Sequence, residues 1–339
     1  MKKLTKKRGK MNNINLHGKD LFGEPVKLGP SAPLADKYGF PPFTILNARE
    51  GVWQERKRAW IATGIQSELG RGDNSAPEGS PRPAMDYSKN ERGDGAGKSM
   101  ATAQAFTTQH QLSDGSMLSS QTGTSIFDPV LCELMYNWFC PEGGQVVDPF
   151  AGGSVRGIVA GLLGRKYYGI DLSQRQIDAN KEQRDIICPD ADVWWACGDS
   201  MDELQHAPQA DFIFACPPYG DLEVYSDDPR DLSTMEYHTF LANYKRIILR
   251  SYKALKPNRL ACFVVGDFRN KKDGTYRGFV ADTINAFRDV GMRLYNDAIL
   301  ITAVGSLPIR VSAQFDKSRK LGKTHQNILV FLKGKKPEL

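Results

Sequence analysis

Gln145-Val146-Val147-Asp148-Pro149-Phe150-Ala151-Gly152-Gly153-Ser154 decides the fold, together with Asp211-Phe212-Ile213-Phe214-Ala215-Cys216-Pro217-Pro218-Tyr219. Each is a short apolar run, of the length of a buried strand, that meets a tight glycine- or proline-rich turn. In an open parallel sheet, ligands bind outside the carboxyl ends of the strands. Two such ends on one edge give one place for a cofactor and one for a substrate.

Outward from this pair the pattern alternates. Strands are expected at Gln145–Pro149, Tyr167–Asp171, Val193–Cys197, Asp211–Ala215 and Leu260–Val265, and helices at Ser154–Leu163, Gln174–Arg184, Met235–Leu255 and Arg277–Val290. Leu241, Tyr244, Ile248, Tyr252 and Leu255 line one face of the longest helix. An earlier helix is marked by Asp128-Pro129 as cap and first turn and by the stripe Val130, Leu131, Leu134, Met135, Trp138 and Phe139. Strand–helix alternation implies an α/β, doubly wound, mostly parallel sheet with helices on both faces. Leu294–Thr302 and Gln326–Leu332, with no helix expected between them, read as an antiparallel closing pair.

Asp-Pro-Phe-Ala-Gly-Gly at 148–153 resembles the first motif of the S-adenosylmethionine-dependent DNA amino-methyltransferases, usually Asp-Pro-Phe-x-Gly-x-Gly. Cys-Pro-Pro-Tyr at 216–219 resembles their catalytic tetrapeptide, (Asp/Asn/Ser)-Pro-Pro-(Tyr/Phe/Trp). The pair stands in this order, about 65 residues apart, and the resemblance covers roughly residues 120 to 333. It implies the class I methyltransferase (Rossmann-like) type of sheet, S-adenosyl-L-methionine as cofactor, and methylation of cytosine N4 or adenine N6 in double-stranded DNA. It also implies the cytoplasm of a bacterial or phage-infected cell.

By the same resemblance, Asp148, Phe150, Gly152 and Gly153 line the cofactor, Asp199 accepts from its adenine amino group, and Thr124, Ser125 and Phe127 close over its methionine end. A local turn or helix cap is the other reading of Asp199. Asp171 ends a strand about 20 positions after the glycine turn, which suits ribose hydroxyls, although a dehydrogenase would use the same logic. The adjacent glycines put Ser154 where the family has its second one.

An exocyclic amine is a poor nucleophile because its lone pair is delocalised into the ring. The site must hold it in line with the methyl sulfonium and accept its hydrogen bonds. Carried over from the family, the acceptors are Cys216 and the Pro217 carbonyl, Pro218 completes the turn, and Tyr219 stacks on a flipped-out base. Cys216 departs from Asp, Asn or Ser, and a thiol is a weak acceptor. Its shape is closest to Ser, which leans towards cytosine and leaves adenine open. An RNA or protein-amide methyltransferase of the same fold, or a non-catalytic DNA-binding relative, would carry a similar pattern.

The rest of the chain divides into a basic N-terminal extension, 1–70, a segment at 71–118 rich in Gly, Ser, Pro and charge, and the methyltransferase domain, 119–339. The middle segment buries too little apolar surface to offset its ordering entropy. Its Gly95-Ala96-Gly97-Lys98-Ser99 lacks the glycine of a phosphate loop, since Arg92 stands there. In the extension, Phe43–Leu46 reads as a short strand and Val52–Ile61 as a helix with Trp53 and Trp60 on one face. Arg56, Lys57 and Arg58 lie between them as candidate phosphate contacts. A basic stretch at 303–326, read as a loop from Gly305, Pro308 and Gly322, offers Arg310, Arg319, Lys320 and Lys323.

The formal net charge of +6 is compatible with a polyanionic partner. The six cysteines form no Cys-x-x-Cys pair, so they read as reduced thiols with neither a disulfide framework nor a structural metal. No run of about 18 apolar residues suggests a membrane span.

Overall fold

The computed structural model describes residues 32–66, 69, 110–111, 117–118, 127–220, 225–305 and 307–339. The basic head, Gly95–Ser99, Thr124 and Ser125 lie outside the described residues.

Eight strands make one sheet: β1 (Ile45–Asn47), β2 (Gln145–Asp148), β3 (Lys166–Asp171), β4 (Val193–Cys197), β5 (Ala210–Ala215), β6 (Leu255–Val265), β7 (Arg293–Ile301) and β8 (His325–Lys333). Their order is β1-β7-β8-β6-β5-β2-β3-β4. All neighbouring pairs are parallel except those of β8, which runs antiparallel to both β6 and β7. This is the doubly wound sheet, with an antiparallel closing strand, that the alternation predicts.

The helices are α1 (Ala32–Tyr38), α2 (Gly51–Ile61), α3 (Pro129–Phe139), α4 (Val155–Leu162), α5 (Gln174–Ile187), α6 (Ser200–Glu203), α7 (Tyr237–Ala254), α8 (Phe279–Asp289) and α9 (Leu307–Ser318). β5 shows why the sheet needs helices on both sides. All six of its residues are buried. Phe212 and Phe214 point into a core shared with α2 to α5, while Ile213 and Ala215 point into a core shared with α6, α7 and α8. The period of two along a strand sends alternate side chains to opposite faces.

The end of the chain differs from its reading. Between β7 and β8 stands α9, over much of what the sequence reading makes a loop. Pro308 occupies its first turn, where the missing N–H costs no helical bond. Arg319, at φ 55°, ends it in the left-handed region.

The described part of the N-terminal extension is built into the fold. β1 pairs with β7 as an eighth, edge strand. Trp53 and Trp60 are buried as their spacing predicts, but so is Arg56, at 2% exposure. Its guanidinium pairs with the buried Glu133 of α3 and donates to the Gly39 carbonyl at 3.1 Å. Trp60 Nε1 also donates to Glu133, at 2.8 Å. Arg56 is therefore a packing residue and not a phosphate contact. Lys57 is half-buried and pairs with the helix-capping Asp128 at 3.2 Å, and Arg58 is exposed.

Candidate active site

The strand order reverses between β2 and β5. The two strands are parallel, with Val146 opposite Phe212 and Val147 opposite Ile213. Asp148 and Ala215, at their carboxyl ends, open on the same edge, where a doubly wound sheet takes ligands. The turn 149–154 and the tetrapeptide 216–219 leave from these two ends.

Hydrogen bonds from neighbouring elements hold the turn. Ala151 N donates to the Ile170 carbonyl at 2.9 Å. Gly152, at φ +51°, donates its N–H to Asp171 Oδ2 at 2.9 Å, and its carbonyl accepts from Asn180 Nδ2 at 2.8 Å. A second Asp171 oxygen accepts from Ser173 N at 2.9 Å. Phe150, Gly152, Gly153 and Asp171 are all half-buried. Burial raises the Asp171 carboxyl above the ordinary range, against the two backbone N–H bonds that lower it.

Asp148 is placed differently from its sequence reading. It is fully buried, with Arg156 Nε 2.5 Å and the Tyr167 hydroxyl 2.7 Å from Oδ2, and Phe150 N 3.0 Å from Oδ1. The same guanidinium donates to the carbonyls of Phe150 and Ala151. Burial alone would lower the Arg156 pKa, but Asp148 reverses that and holds the group above its usual value. Asp148 thus shapes the turn from behind instead of facing a ligand. Phe127 lies with its ring 4.6 Å from this guanidinium and edge-on to Phe214, as part of the core wall.

Asp199 ends the link from β4 and caps α6 by accepting from Met201 N at 2.8 Å. It remains half-buried beside the same edge.

In the tetrapeptide, Pro217 is buried, while Cys216, Pro218 and Tyr219 are half-buried. The Tyr219 ring meets Phe279 edge-on at 6.2 Å. Its hydroxyl accepts from Gln326 Nε2 at 2.7 Å and lies 3.8 Å from Cys216 Sγ. Burial, with Cys216 beside it, pushes this hydroxyl well above the usual phenol range. Lys323 and His325 approach from β8 and the turn before it, with Lys323 Nζ 3.2 Å from His325 Nε2. Burial lowers the pKa of both.

Sequence reasoning missed Arg156, Tyr167 and Gln326. Arg156 had a signal: a cation in the first turn of an otherwise apolar helix is unfavourable to the helix dipole unless it has a partner. Gln326 had none, because it reaches Tyr219 across 107 positions.

The order of the sheet, with its antiparallel β8, is that of the class I, Rossmann-like methyltransferase fold. No protein-family model matches the chain, and no curated protein matches it by sequence. Among solved structures it is similar to TrmN from Thermus thermophilus, at 14% identity and a TM-score of 0.43, over 65% of this chain and 55% of that one. It is also similar to a TehB-like SAM-dependent methyltransferase from Corynebacterium glutamicum, at 17% identity and a TM-score of 0.38, over 62% of this chain and 90% of that one. A third is the magnesium protoporphyrin IX methyltransferase ChlM from Synechocystis, with bound SAM, at 10% identity and a TM-score of 0.38, over 60% of this chain and 79% of that one. Likeness at this level does not define what this chain acts on.

Proposed function

We propose that the chain is an S-adenosylmethionine-dependent methyltransferase acting on the exocyclic amino group of cytosine or adenine in duplex DNA. The observation that carries this reading is the adjacency of the glycine turn and Cys216–Tyr219 at the reversal point of the sheet. The donor set suits the cofactor: a half-buried glycine turn opens beside carboxylates at the ends of β3 and β4, which can accept from hydroxyl and amino groups. Gly152, Gly153 and Phe150 would line it, with Asp171 on the ribose and Asp199 on the adenine. When bound, it supplies an electrophilic methyl group.

The chain's own residues then position the amine. Cys216 and the Pro217 carbonyl accept its N–H bonds, which draws the nitrogen towards a tetrahedral shape. Tyr219 stacks on the flipped base, and Gln326 fixes the tyrosine hydroxyl. Incubating the protein with methyl-labelled cofactor and duplex DNA, then identifying the modified nucleoside by mass, tests the reading. Label on N4-methylcytosine or N6-methyladenine is the expected result. Label on RNA or protein alone would overturn the DNA assignment.

Asp171→Ala is expected to weaken cofactor binding about tenfold by calorimetry. It removes an acceptor for the ribose and the clamp on Gly152 together, each worth roughly 0.5–1.5 kcal/mol. Unchanged affinity would remove Asp171 from the site.

A further inference from the structure

We infer that the hairpin 269–277, which follows β6, is a backbone-gripping arm for duplex DNA, continuous with the basic segment after α9. The inference rests on the DNA-methyltransferase reading and extends it to a surface that the sequence motifs do not touch.

The hairpin reads Arg269-Asn270-Lys271-Lys272-Asp273-Gly274-Thr275-Tyr276-Arg277, four cations against one carboxylate. It leaves the carboxyl end of β6, the parallel neighbour of β5, and so rises on the edge that carries Tyr219. Lys271, Lys272 and Tyr276 are exposed.

Its shape is fixed in advance. Asn270 N donates to the Thr275 carbonyl and Gly274 N to the Asn270 carbonyl, each at 2.8 Å. Asn270 Oδ1 accepts from Lys272 N at 3.0 Å, and Asp273 Oδ1 from Thr275 N at 2.8 Å. Asp267 pins the base by accepting from Phe268 N, Gly278 N and Phe279 N. The Arg269 guanidinium lies 4.1 Å from the Tyr276 ring centre and donates to the Gly274 carbonyl at 3.0 Å. A hairpin whose backbone is already held in place loses less entropy on binding than a free segment does.

The hairpin also touches the second basic segment. Lys320 Nζ sits directly over Gly274, in the space a side chain there would need. Lys323 continues the row: its Cε is 3.6 Å from where a Gly266 Cβ would stand, and the Tyr219 hydroxyl is 3.8 Å from the same point. Cations thus run from Lys271 and Lys272 through Lys320 to Lys323, beside Tyr219. Like charges gathered on one edge raise the local positive potential, which suits the phosphates of a polyanion.

Fluorescence anisotropy of a labelled duplex, over a potassium chloride series with the full-length protein, tests this. Lys271→Ala/Lys272→Ala is expected to weaken binding about tenfold at low salt and to flatten the log–log salt slope by about 1.8 units, the release of two phosphate contacts. Arg319→Ala/Lys320→Ala should flatten it by a similar amount. Lys272→Glu should weaken binding further than Lys272→Ala. Cofactor affinity by calorimetry should stay unchanged in all of them, as a control for folding. A wild-type slope in the Lys271/Lys272 variant, from a protein that still methylates duplex DNA, overturns the arm and leaves the methyltransferase reading standing. Loss of affinity confined to single-stranded RNA, or no duplex binding by the wild type, overturns both.

Discussion

On the proposed DNA-methyltransferase reading, Tyr219→Ala is expected to lower methyl transfer to duplex DNA about 10- to 100-fold while cofactor affinity by calorimetry stays put. The loss corresponds to roughly 1–3 kcal/mol of stacking between a base and an aromatic ring. The hydroxyl makes a separable contribution through Gln326 and Cys216. Tyr219→Phe keeps the ring and should cost only about 2- to 10-fold, the worth of one hydrogen bond of about 0.5–1.5 kcal/mol. Cys216→Ser supplies a better acceptor of similar shape, so equal or higher turnover is expected. Normal turnover by Tyr219→Ala would make that ring a packing residue, and loss of turnover in Cys216→Ser would point to a sulfur nucleophile.

Arg156→Met is expected to be strongly destabilising. It leaves the Asp148 carboxylate buried without its cation and strips a donor from the Phe150 and Ala151 carbonyls. Breaking a buried pair on one side costs about 3–5 kcal/mol. Thermal unfolding should therefore drop by roughly 6–20 °C in a domain of this size. Lys166→Met is the contrast. Its partner Asp192 is 3.5 Å away, but both side chains are more than half exposed, so the change should stay within about 1 kcal/mol. Equal melting shifts in the two variants would show that Asp148 is not held by charge.

The sheet is legible because its central strands are covered on both faces, which writes them as unbroken apolar runs such as 212–215, Phe-Ile-Phe-Ala. The glycine turn and the tetrapeptide stood out for the same reason, as abrupt ends to those runs. What could not be read is what depends on partners far along the chain. Asp148 reads as a ligand-facing acid because nothing local announces Tyr167, 19 positions on, and the signal at Arg156 calls for a partner without naming it. Arg56 was grouped with Lys57 and Arg58 as a basic run, although its spacing sets it on the face of Trp53 and Trp60, and Glu133 lies hidden in an apolar stripe. α9 was lost to a rule about proline that does not hold in a first helical turn.

The docking of α2 on α3 has a consequence for how the molecule is assembled. Trp53 donates to Asp128 across 75 positions of the chain, and Lys57 pairs with the same carboxylate. The N-terminal segment therefore behaves as an intramolecular ligand whose anchors are Trp53, Trp60 and Arg56. Cleavage of the chain between α2 and α3 would turn a unimolecular fold into a two-piece complex. The edge strand beside β7 would then come and go with the occupancy of a binding site.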